Sequence, residues 1–249
     1  MKSCILSDIH GNLEAFTAVL ADLDNRKEPL PDTIISLGDV IGYGPDPEAA
    51  MALIISRGIT SVLGNHEMAV VHPRYMRWFN PVSRIAVEHS LNHLSPESMD
   101  LIRTFPINLV VERMLFVHGV PPQSPFIYLF QITDTAVMKR LDSLDQDVVF
   151  VGHTHELALV EYTGRCVNRM DLDQGRTLLK PGSRYIVNAG SVGQPRDGNP
   201  SAKYLVYDTR TRELDIRFVP YDHTATAAKI LDQGLPAQFA EKLSYRFDR

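Results

Sequence analysis

The chain has 249 residues, 44% hydrophobic and 22% charged, a balance that excludes disordered and fibrous classes and leaves a folded protein able to bury a core. A net charge of −5 and a pI near 6.0 argue against a broad electrostatic footprint on nucleic acid or on an anionic membrane. No apolar run approaches bilayer length, and the amino terminus reaches an acidic residue and a turn too soon for a secretory segment, so a cytoplasmic location is expected; Cys4 and Cys166 define no disulfide framework.

In chain order, Lys2 to Asp8 reads as a short buried strand, followed by a turn at Gly11 and Asn12 and a helix marked by Leu13, Phe16, Leu20 and Leu23. The unit repeats: Ile34 to Leu37 is a strand ending in Gly38-Asp39, and Pro47 opens a helix running to about Arg57. Thr60 to Leu63 is a third strand, ending in Gly64-Asn65-His66-Glu67. Three strand-to-helix passages predict a largely parallel sheet at the start of an α/β domain. The Pro-bounded stretch His72 to Pro81 carries Tyr75, Trp78 and Phe79, and Pro81 to Leu94 reads as helix; together, residues from about 70 to 105 are a candidate cap. Beyond Ile107 the pattern is β-rich, with strands at 107–111, 114–117, 148–152, 157–162, 185–188, 203–208 and 213–219, a helix from about Thr133 to Leu144, and a last helix over His223 to Ser244. No repeat or long linker interrupts the chain, so one domain over 1–249 with two packed sheets is expected.

Five of the nine histidines, His10, His66, His118, His153 and His155, stand in short motifs directly after apolar strand-like runs. Open α/β sheets place functional loops beyond the carboxyl ends of strands, so such residues converge on one crevice. The motifs Asp8-Ile9-His10, Gly38-Asp39, Gly64-Asn65-His66-Glu67, His118-Gly119 and Gly152-His153-Thr154-His155 supply carboxylate, imidazole and amide groups without thiolate. That donor set suits divalent Mn, Fe, Co, Ni or Zn in a catalytic rather than a structural site. Asp8 with His10, and His153 with His155, are expected to point the same way as alternate residues of an extended strand. Each fragment alone also has a structural use, as a helix cap, a turn or a packed histidine; five in one chain at strand ends carry the metal reading.

In their order, these blocks resemble the calcineurin-like metallophosphoesterase superfamily, and Asn188-Ala189-Gly190-Ser191-Val192-Gly193-Gln194-Pro195-Arg196, Tyr43-Gly44-Pro45 and Tyr204-Leu205-Val206-Tyr207-Asp208 are similar to its compact bacterial phosphodiesterase branch. The resemblance implies a four-layer αββα sandwich of two mixed sheets flanked by helices. It implies Asp8, His10, Asp39 and His155 on one metal and Asp39, Asn65, His118 and His153 on the other, with Asp39 bridging, manganese among the expected ions, and a hydroxide between the metals attacking phosphorus. His66 is the implied non-ligating catalytic histidine, stabilising the transition state or protonating the leaving oxygen.

The loop Val40-Ile41-Gly42-Tyr43-Gly44-Pro45-Asp46 lacks the phosphate-gripping arginine of the superfamily's protein phosphatases, which argues against protein-phosphatase activity; the resemblance makes a phosphodiesterase the expected activity, with a phosphomonoesterase as alternative. Asp46 is a candidate acidic partner for His66, and Arg196 a candidate contact to substrate phosphate. Tyr128, Tyr75, Trp78 and Phe79 are candidates to meet an aromatic group, whereas His72, His89, His93 and His223 have no partner motif. The expected partner is a small phosphate ester, nucleotide-like substrates included, with no membrane and no nucleic acid. The alternative from another class is a metal-binding scaffold of the same fold without turnover; an intact His66 argues against it.

Overall fold

A computed structural model describes residues 1–244. Strand β1 (Lys2–Leu6) leads into α1 (Leu13–Asp24), β2 (Thr33–Ser36) into α2 (Pro47–Ser56), and β3 (Thr60–Ser61) into α3 (Asn65–Val71). A 3₁₀ segment (Pro73–Trp78) is followed by α4 (Pro81–His93) and α5 (Pro96–Thr104). Then come β4 (Asn108–Val111), β5 (Met114–Val117), α6 (Asp134–Asp142), β6 (Val148–Val151), β7 (Leu157–Tyr162), β8 (Val167–Asp171), β9 (Gly175–Leu178) and β10 (Arg184–Ala189). The described chain closes with β11 (Ala202–Asp208), β12 (Glu213–Val219), α7 (His223–Asp232) and α8 (Ala237–Leu243).

The strands form two mixed six-stranded sheets, ordered β3-β2-β1-β11-β12-β9 and β4-β5-β6-β10-β7-β8. In the first, β1, β2 and β3 are parallel; in the second, β5, β6 and β10 are parallel. The central strands read as unbroken apolar runs because both of their faces are covered. Strand periodicity sorts the side chains: Cys4 and Leu6 pack with Phe16, Val19 and Met51 under α1 and α2, while Ile5 faces Phe116, Phe150 and Val187 between the sheets. Leu115, Val117, Val149 and Val151 turn the other way, onto Val137 and Leu141 of α6. The result is the expected sandwich of helices, sheet, sheet and helix.

Local chemistry sets the boundaries. Asn12 caps α1 by accepting from the Ala15 amide, Asn80 caps α4, and Pro47, Pro81 and Pro96 each open a helix where no amide is needed. The single helix expected over His223–Ser244 is two: Gly234, at φ +70°, and Pro236 break it. The stretch from 70 to 105 contributes Val70, Val87, Ile102 and Phe105 to the helix-side core, and so packs onto the first sheet's outer layer.

Candidate metal centre

Every motif singled out in the sequence lies at the carboxyl end of a strand that runs parallel to a neighbour in its sheet: β1, β2, β3, β5 and β6 deliver Asp8 and His10, Asp39, Asn65 and His66, His118, and His153 and His155. The loops are zipped by backbone bonds, from the Asp8 amide to Gly38 O at 3.1 Å, His10 to Asp39 O at 2.9 Å and Gly11 to Val40 O at 2.7 Å. The convergence is as expected, but its local cause differs. Asp8 and His10 carry φ of 52° and 50°, and His153 and His155 69° and 62°. Left-handed turns, not a continued pleat, throw the alternate side chains to one side.

The side chains make two groups around Asp39, all buried. In one, His10 Nε2 lies 3.1 Å from His155 Nε2, and Asp8 Oδ1 is 3.2 Å from His155 Nε2 and 3.6 Å from His10 Nε2. In the other, His118 Nε2 is 3.1 Å from both Asn65 Oδ1 and His153 Nδ1. Asp39 Oδ2 stands between them, 3.2 Å from His118 Nε2 and 3.8 Å from His10 Nε2, while its Oδ1 accepts from the His66 amide at 2.9 Å. His66 also falls within ligand range of His10 and Asp39.

The second nitrogen of each imidazole fixes its tautomer. His10, His118 and His155 give Nδ1–H to the carbonyls of Ile41 (3.0 Å), Leu37 (2.8 Å) and Gln194 (2.7 Å), and His153 gives Nε2–H to Phe126 O (3.3 Å). A carbonyl only accepts, so in each neutral ring the lone pair points inward. Lone pairs 3.1 Å apart repel unless a proton or a cation lies between them. Asp8 Oδ1 is buried without a hydrogen-bond partner, and among the described residues no Lys or Arg pairs with Asp8 or Asp39. Buried carboxylates with inward imidazoles fit divalent cations of the first transition row.

The same crowding appears in the titration of the side chains. Burial pushes the Asp8 and Asp39 carboxyls up, but the surrounding imidazoles outweigh it and hold both below the usual carboxylate range. Burial also opposes charge on His118, and Asp39 overrides it, raising His118 to about 9. His66, His153 and His155 are driven down by burial, His66 to about 3 and His153 to about 4.

Several positioning residues escaped the sequence reading. Glu67 accepts the amides of Asp39 (2.8 Å), Gly64 (3.0 Å) and Ile41 (3.1 Å), fastening the loop after β2 to the start of α3; burial, then Asp39, raises its carboxyl to about 7. Gly64 is obligatory there, since a Cβ would sit 2.1 Å from Asp39 Oδ1. Asn188 donates to Gly152 O and Thr154 Oγ1, Ser191 to Asp8 O, and Ser7 to Asp8 Oδ2. The only signal for them in the sequence was their place within or beside the motifs. Asp46 does not serve His66: it accepts from Lys229 at 2.9 Å, which also binds Glu14, so the expected acidic partner is drawn to α7. His66 instead packs between Tyr43 (4.8 Å) and Phe79 (4.9 Å), its Nδ1 buried without a partner. Arg196 lies at the mouth with its guanidinium 5.7 Å from the Tyr43 ring centroid, and Tyr128 stacks on His153 at 3.9 Å. His89 and His93 sit together on α4 and belong to neither metal group.

The sequence model of the calcineurin-like phosphoesterase superfamily domain matches residues 1–212. An uncharacterized protein of Methanocaldococcus jannaschii is 31% identical over 245 residues, covering 96% of each chain. The crystal structure of a metallophosphoesterase from Sphaerobacter thermophilus superposes with a TM-score of 0.84 at 32% identity, over 98% of each chain. A hypothetical protein from Pyrococcus horikoshii OT3 shares the fold, with a TM-score of 0.76 at 18% identity over 100% of this chain and 99% of its own.

Proposed function

The chain belongs to the calcineurin-like phosphoesterase superfamily, and from that premise we propose that it is a phosphodiesterase whose two divalent cations share Asp39. The observation that carries the reading is the inward orientation of four imidazoles whose outer nitrogens are all spent on backbone carbonyls. Asp8, His10 and His155 would hold one ion, Asn65, His118 and His153 the other, and Asp39 Oδ2 faces both groups. Two such ions would supply Lewis acidity toward phosphoryl oxygens and would lower the pKa of water toward neutral.

The chain's own residues do the rest. The carbonyls of Ile41, Leu37, Gln194 and Phe126 hold the rings in one tautomer, so binding a cation requires no reorientation. His66 is kept neutral by burial and backed by Tyr43 and Phe79, which suits an N–H that donates to a phosphoryl oxygen as charge develops there. Arg196, beside Tyr43, is the residue at the mouth suited to meeting a substrate oxygen. The preference for a diester rests on the aromatic lining of that mouth, which a second ester arm contacts and a bare phosphate oxygen does not.

The test is hydrolysis of an aryl phosphodiester and an aryl phosphomonoester by metal-stripped protein, with Mn, Co, Ni or Zn added back. Turnover is expected to return with metal, faster on the diester, and Asp39→Asn is expected to lose both bound metal and turnover. Metal binding without turnover of either ester would favour the scaffold reading instead.

A further inference from the structure

The metal groups open onto a cavity of about 210 Å³ that includes Asn65 and His153 in its lining. Around it stand two kinds of group that hydrolysis of a simple ester does not require: the aromatic pair Trp78 and Phe126, and the cations Arg196 and Lys242.

Trp78 is 62% exposed although it is the chain's single tryptophan and a large apolar surface. Its ring stacks on Phe126 at 5.5 Å and 25°, and Phe126 stacks in turn on Tyr75 at 5.0 Å and 30°. The stack fixes an exposed, flat face at the rim, shaped for another planar ring. Arg196 is anchored through its amide to His155 O at 3.1 Å and through one guanidinium nitrogen to Gln194 Oε1 at 3.0 Å, while its Nε is buried with no acceptor. Glu156 and Asp197 border a neighbouring cleft with Arg196, but neither comes within ion-pair distance of it. Among the described residues, Arg196 and Lys242 form no ion pair. Arg196 and Lys242 line the same cavity, where burial and Arg196's charge push Lys242 below its ordinary value. Like charges so placed repel until an anion joins them.

We propose that Arg196 and Lys242 form a subsite for a non-reacting phosphate of the substrate while Trp78, backed by Phe126, takes a flat ring. As a statement about substrate it rests on the phosphodiesterase reading, and it narrows that reading to nucleotide-type diesters that carry a further phosphate beyond the scissile one.

The single tryptophan gives a readout that needs no turnover. The metal-free full chain is titrated with adenosine, adenosine monophosphate and inorganic phosphate while tryptophan emission is followed. The monophosphate is expected to quench Trp78 and to bind about tenfold or more tightly than either of its parts. Lys242→Met and Arg196→Met are expected to bring its Kd to that of adenosine, whereas Arg196→Lys keeps most of the advantage. On the metal-loaded enzyme, the ratio of KM for bis(p-nitrophenyl) phosphate to KM for a nitrophenyl diester of a nucleoside bisphosphate should fall toward one in the methionine variants. Equal binding of adenosine and its monophosphate, or an advantage that survives both methionine variants, overturns the subsite. Quenching with the expected pattern but no ester hydrolysed leaves the subsite standing and removes the phosphodiesterase reading alone.

Discussion

Five of the residues assigned to the metal centre, Asp8, His10, Asp39, His153 and His155, hold positive φ between 50° and 69°. Each such conformation costs a non-glycine residue about 1–3 kcal/mol and persists because the surroundings over-determine it. Here the determinants are visible: the zipped loops after β1 and β2, and Ser191, Asn188 and Glu67 bonded to the backbone around them. Residue types were legible in the sequence, because five fragments of carboxylate, amide and imidazole recur directly after apolar runs. The turn conformation was not, because nothing in Asp-Ile-His separates a left-handed turn from an extended strand. Two substitutions belong at this scale. His66→Gln is expected to lower kcat by about 10²–10⁴ with metal content unchanged, measured by steady-state kinetics beside metal analysis. Glu67→Gln sets an amide donor against a backbone N–H; a loss of about 2 kcal/mol in urea unfolding is expected, with metal bound about 10- to 100-fold more weakly.

Helix α1 shows how elements are tied to the sheet by more than apolar contact. Asp22 accepts from Tyr204 OH on β11 at 2.7 Å and from Arg217 on β12 at 3.0 Å. Burial alone would raise its carboxyl; the bonds from Arg217 and Tyr204 outweigh this and hold it below its ordinary value. A carboxyl lowered on folding stabilises the protein fully above its unfolded pKa of about 3.9 and ceases to do so as the pH falls through the lowered folded value. Asp22→Asn is therefore expected to cost about 1.5 kcal/mol at pH 7, a deficit that narrows below pH 4, read from denaturant midpoints across pH. The elements legible in the sequence were those with two-sided or one-sided apolar patterns, from β1 through β3, then α4, β4 through β7 with α6 among them, and β10 to β12. Among those overlooked, α5 fell within the candidate cap, β8, Val-Asn-Arg-Met-Asp, is an exposed edge strand, β9 an edge strand opening on Gly175, and α3 begins inside a motif whose residues face the centre. Strands of that kind are made by their neighbour's ladder, here β7 and β12, and not by their own side chains.

At the scale of the whole molecule, the layer between the two sheets holds each metal group together, because Asp8, His10, Asp39 and Asn65 follow strands of one sheet and His118, His153 and His155 strands of the other, and both groups draw on both sheets. Phe116 and Phe150 stack at 5.3 Å in that layer, fully buried. Phe150→Ala is expected to lose about 3–5 kcal/mol in equilibrium unfolding, and to weaken metal retention because each metal group joins residues of both sheets. By itself the sequence determined the αββα class, through its resemblance, and the identities of the residues that meet at the centre; those depend on local patterns of apolar runs, caps and donor chemistry. Only the tertiary structure decided that left-handed turns aim Asp8, His10, His153 and His155, that Asp46 belongs to Lys229 and not to His66, and that Lys242 reaches the mouth beside Arg196. These are contacts between segments far apart in the chain, fixed by packing and long-range hydrogen bonds, and no local pattern of residues carries them.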